Sequence, residues 1–63
     1  MDYEKWKADV VEYLREVEKK AGVEPFAWDW LVGDDETMKE EYAEGSYKDD
    51  PIGYVDYQIE CAQ

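Results

Sequence analysis

Tyr3, Trp6, Val10, Tyr13, Leu14, Val17 and Ala21 stand three or four residues apart, which places them on one stripe of a helix. The spacing predicts a helix over residues 2–21. Asp2 is suited to cap its start, Gly22 to end it in a left-handed conformation, and Lys19 and Lys20 to face the negative end of its dipole. Glu16 with Lys20, and Glu12 with Arg15, have the spacing of ion pairs along a helix, so a mixed, solvated outer face is expected. The stripe is too short for a coiled coil. It suits a helix–helix seam, either within one molecule or between two copies in a homodimer.

The rest of the chain must cover that stripe. Val23-Glu24-Pro25 reads as a connection, and Phe26 to Val32 is apolar apart from Asp29. Pro25 at a first helical position and Gly33 at an end favour a short helix over 25–32, with a buried strand as the competing reading. Phe26, Trp28, Trp30 and Leu31 are expected in or beside the core in either case. Three acids, Asp34-Asp35-Glu36, open a helix over 36–44 that Gly45 ends, with Met38 and Tyr42 facing inward. Asp50-Pro51 is an N-cap followed by proline at the first position, so a last helix is expected over 51–62. Its inward stripe is expected to be Ile52, Val55, Ile59 and Ala62. Gly53 weakens this helix and is expected to admit a neighbouring aromatic. The expected fold class is all-α: a small bundle of three to four short helices forming a single acidic domain over residues 1–63.

Nothing else staples so small a chain. Cys61 is the only cysteine and there is no histidine, so neither an internal disulfide nor a zinc site is expected. Aromatic bulk supplies the core instead, because large rings bury about 150–250 Å² each. No apolar run approaches a membrane span. The acidic start, Met1-Asp2-Tyr3-Glu4, has no apolar stretch after it, so no signal peptide is expected. With a free Cys61, the expected compartment is the reducing cytoplasm.

Charge narrows the function. Residues 21–63 carry twelve carboxylates against Lys39 and Lys48, and so hold ten of the eleven net negative charges. Such a field repels nucleic acid and anionic lipid and attracts basic surfaces. Direct nucleic-acid binding is therefore not expected. No enzyme is expected either, since histidine is absent and three short helices hardly enclose a catalytic pair of carboxylates. The acids do not follow the spacing of a calcium loop, and neither a metal nor a cofactor is expected.

The candidate binding residues are Asp34, Asp35, Glu36, Glu40, Glu41, Glu44, Asp49, Asp50, Asp56 and Glu60, with Tyr47, Tyr54 and Tyr57 as aromatic anchors. Glu36 with Glu40, Glu40 with Glu44, and Asp56 with Glu60 are like-charge pairs at helical spacing. Folding alone has no use for such pairs. Duplex DNA carries one negative charge per about 1.7 Å of axis, and carboxylates on adjacent helices can approach that density. In size, charge and aromatic content the chain resembles the small acidic proteins of phages and mobile elements that block nucleic-acid-binding enzymes, the anti-CRISPR and anti-restriction inhibitors among them. The resemblance implies an inhibitor that occupies a basic, nucleic-acid-binding surface of a larger protein. The alternative is a helical adaptor or regulatory protein that binds a partner, or itself, through an apolar and aromatic patch around Trp28, Trp30, Tyr54 and Tyr57.

Overall fold

Three helices and one 3-10 turn follow one another, with no strand, along residues 2–62, which are those the structure, a computed structural model, describes. The first helix, α1, runs over Tyr3–Ala21 and is capped as its sequence demands. Asp2 accepts the N–H of Lys5 at 2.8 Å, and Gly22 closes the other end at φ +77°. Its buried row is Trp6, Val10, Leu14 and Glu18. Val17 is only half-buried and Ala21 is exposed. A row at four-residue steps slants across the helix, and here it ends on a carboxylate instead of an alanine.

The short helix expected over 25–32, like the strand that competed with it, is replaced by turns and a 3-10 turn at Asp29–Leu31. The cause lies in α1. The Glu18 carboxylate accepts the backbone N–H of Trp28 at 2.8 Å and that of Phe26 at 3.3 Å. The chain wraps around this acid, with Phe26 in the left-handed region at φ +70°, where a helix cannot propagate. The wrap turns Phe26 and Trp30 outward, the latter 67% exposed, leaves Trp28 and Leu31 half-buried, and sends Val32 into the core.

Helix α2, Asp35–Glu44, buries little of itself: Met38 is its one buried residue, and Tyr42 packs against the core from the side. Helix α3, Pro51–Cys61, lies along α1 and buries Pro51, Tyr54 and Val55. This corrects the expected stripe: Val55 is buried and Ile59 half-buried, but Ile52 and Ala62 are exposed. Tyr54 takes the inward place. Its ring centroid lies 5.0 Å from that of Trp6, and its hydroxyl donates to the Val32 carbonyl at 3.3 Å.

The core is therefore aromatic and tied to the backbone. Trp6 is fully buried, and its indole N–H donates to the Tyr47 carbonyl at 2.6 Å. Tyr42 meets the Trp6 ring edge-on at 5.5 Å, and Tyr47 continues the series to Tyr54 at 6.1 Å. Such ring pairs add about 0.5–1.5 kcal/mol beyond the area they bury. One tryptophan thus joins α1, α2, α3 and the loop before α3.

Candidate functional site

The thirteen candidate residues divide by what their side chains already do. Asp34 caps α2, accepting the Thr37 N–H at 2.9 Å, and this bond holds its pKa below the usual carboxylate range. Asp35 is the most heavily engaged acid. It accepts Lys7 Nζ at 2.7 Å, the Tyr3 hydroxyl at 2.7 Å and Lys39 Nζ at 3.3 Å. These donors, Lys7 first, hold its carboxyl far below the usual range. In return, burial and then the bond to Asp35 push the Tyr3 hydroxyl up to about 12. Asp50 caps α3 through the Gly53 N–H at 2.9 Å. Asp56 accepts the Tyr13 hydroxyl at 2.8 Å, which raises the pKa of that tyrosine. These four acids hold helices in place as well as carrying charge.

The glutamates of α2 behave differently. Glu36, Glu40 and Glu44 are exposed at four-residue steps along one edge. Among the described residues, none of their side chains has a hydrogen bond or an ion pair. Lys39, the one cation on this helix, is turned to Asp35 and the Tyr3 ring. Glu41 is half-buried; burial, and then the Glu41 charge, raises the Tyr54 hydroxyl, while the bond with Cys61 is the main cause that raises that of Tyr57. Asp49 and Glu60 are exposed.

The tyrosines separate as well. Tyr57 is 48% exposed, and its ring lies 5.7 Å from that of the half-buried Tyr47, tilted by 32°. Tyr54 leaves the candidate set: at 1% exposure it is a core residue and cannot anchor a partner. The expected place of Gly53 needs a second correction. A side chain there would meet the Asp50 carboxyl carbon at 2.7 Å, so the glycine makes room for the cap of its own helix rather than for an aromatic.

Two features escaped the sequence. The first is the clasp on Glu18, which is 1% exposed. Burial alone would raise its pKa, but the N–H of Trp28, the Arg15 guanidinium and the N–H of Phe26 outweigh that and lower it. Arg15 bonds Glu18 and Asp29 together, and its guanidinium carbon lies 4.2 Å from the centre of the Phe26 ring. One signal was available: Glu18 continues the four-residue steps Trp6, Val10, Leu14.

The second is a hollow on the α1–α3 seam, lined by Asp9, Glu12, Tyr13, Glu16, Pro51 and Ile52. Because Arg15 turns to the clasp, its expected pairing with Glu12 does not form, and neither does that of Glu16 with Lys20. An apolar hollow also exists, lined by Trp28, Trp30, Leu31, Ile59 and Ala62.

Among the described residues, no group of three or more His, Cys, Asp or Glu is placed to hold a metal ion, and no helix is long and apolar enough to cross a membrane. No protein-family model, curated protein or solved structure matches the chain.

Proposed function

We propose that this protein is a small acidic inhibitor that occupies a basic, nucleic-acid-binding surface of a larger cytoplasmic protein, in the manner of anti-CRISPR or anti-restriction mimics. It works by steric and electrostatic competition, without chemistry. The observation that carries this function is the row Glu36, Glu40, Glu44, exposed and without a cationic partner on a helix that buries only Met38. Each like-charge pair costs the helix a few tenths of a kcal/mol. A basic groove recovers that cost on binding and gains the steering of an eleven-charge excess. Asp49 and Glu60 add exposed charge, and Tyr57 supplies an aromatic contact.

The test is elution of bound protein from the immobilised chain by salt and by duplex DNA. A basic nucleic-acid-binding protein that is retained at low salt, released by DNA, and lost when Glu36, Glu40 and Glu44 are changed to lysine supports the function. Retention by the triple variant, with helix content unchanged, overturns it.

A second function is favoured by one observation. Trp30 is 67% exposed beside the apolar hollow of Trp28, Leu31, Ile59 and Ala62, the kind of patch through which an adaptor binds. Binding there resists salt and is lost in Trp30→Ala.

A further inference from the structure

We infer that the α1–α3 seam is a receptor for a single arginine side chain presented by a basic segment of the partner. The inference rests on the proposed function, because it assumes a partner whose surface is basic. The hollow is about 290 Å³, at the lower bound of the roughly 300–1,000 Å³ of small-molecule pockets, so a single long side chain is within its size.

Its lining has two kinds of wall. Ile52 offers apolar surface over the buried Pro51, and it is 51% exposed although α3 has a core to bury it in. Glu12 and Glu16 stand one turn apart on the facing edge, and among the described residues neither has a hydrogen bond or an ion pair. Between them, Tyr13 is held by its 2.8 Å bond to Asp56, and Asp9 is engaged by Lys5 at 3.2 Å. An isoleucine left in water beside two uncompensated carboxylates is complementary to a long side chain with an apolar stem and a cationic head. Arginine fits better than lysine. Its planar guanidinium can bond two carboxylates at once and lie against the tyrosine ring, whereas an ammonium is a strongly hydrated point charge.

The seam is separate from the α2 edge. Glu16 lies nine residues beyond Lys7, about two and a half turns along α1, so the two side chains point to opposite sides of the helix. Lys7, like Tyr3, reaches α2 through Asp35. A partner can therefore meet the α2 glutamates and the seam as two independent contacts.

The experiment is an NMR titration of the intact chain with two uncharged-capped peptides, Gly-Arg-Gly-Arg-Gly and Gly-Lys-Gly-Lys-Gly, in low salt. The expected result is saturable shifts at the Ile52 methyls, the Tyr13 ring and the Glu12 and Glu16 side chains, with the arginine peptide the tighter binder. Changing Glu12 and Glu16 together to glutamine weakens it about tenfold, on the scale of two exposed ion pairs. Ile52→Ala weakens it by a smaller factor. Both sites are exposed, and the circular dichroism of each variant checks that the helices persist. Equal shifts at Glu36, Glu40 and Glu44, equal binding of both peptides, or an unaltered affinity in the double glutamine variant overturns the inference. Because the titration needs no natural partner, its failure leaves the α2 reversal experiment intact, and failure of that experiment leaves the titration intact.

Discussion

The Glu18 carboxylate accepts the Trp28 N–H at 2.8 Å, so a residue near the end of α1 dictates the path of the chain ten positions further on. The carboxylate is buried, and this bond is one of three that it receives, the others coming from Phe26 and Arg15. Glu18→Ala leaves two backbone donors without their acceptor and Arg15 with Asp29 alone. The expected cost is about 3 kcal/mol, the scale of breaking a buried, hydrogen-bonded charge. Urea unfolding measures it, and the Trp28 environment should change even where the helices survive. A loss below about 0.5 kcal/mol, the scatter of ordinary surface substitutions, would show that the clasp does not hold the loop.

The same residue shows where sequence ceases to be legible. Caps and spacing at Asp2, Gly22, Asp34, Gly45, Asp50 and Pro51 act within one turn, and the three helices appear within a residue or two of their expected bounds. The loop 23–33 does not follow from its own residues, because an acid eight to ten positions upstream sets its course. Its apolar letters suggested burial, yet Phe26 and Trp30 face water. On α3, Tyr54 rather than Ile52 turns inward because Trp6 and the Val32 carbonyl await it, a tertiary preference that periodicity does not carry. At the candidate site, the sequence located the acids but could not separate those spent on caps and ties, such as Asp35, from those displayed, such as Glu40.

Stability is expected to fall at both ends of the pH scale. Glu18, Asp34 and Asp35 have lowered pKa values in the folded chain, so their contribution is complete above the ordinary values of 4.5 and 3.8 and is lost as pH falls below them. Tyr3 is raised from 10.0 to about 12, so its contribution is complete below pH 10 and is lost as pH rises towards about 12. Thermal midpoints measured across this range should trace both limbs. Tyr3→Phe should flatten the alkaline one, and an unchanged alkaline limb in that variant would place the loss elsewhere.

Glu40 repels both Glu36 and Glu44. Glu40→Gln removes two like-charge pairs, and a gain of about 0.5 kcal/mol is expected, or roughly 2–4 °C in a domain of this size. The gain should vanish near 1 M salt, where the screening length is about 3 Å. A loss of stability in low salt would mean that the row holds the fold together instead of straining it.

Gly53→Ala should fail as a stabilising change. Alanine is worth about 1 kcal/mol over glycine inside a helix, but the added carbon would meet the Asp50 carboxyl carbon at 2.7 Å. Moving that side chain sacrifices the cap, itself worth about 1 kcal/mol. A net change near zero or negative is expected from urea unfolding. If the variant were more stable by the full helix preference, the Asp50 cap would contribute nothing.

Glu18 grips the loop by the amide groups of Phe26 and Trp28 and not by their side chains. Every residue except proline carries such a group. The loop can therefore change its exposed letters over generations while keeping its path, provided that position 26, at φ +70°, accepts a left-handed residue such as glycine or asparagine. An acid inside the protein thus frees part of its outer surface to vary: Ala27 and Trp30 can be rewritten without refolding the loop, while Trp28, packed on the core, and Asp29, held by Arg15, cannot.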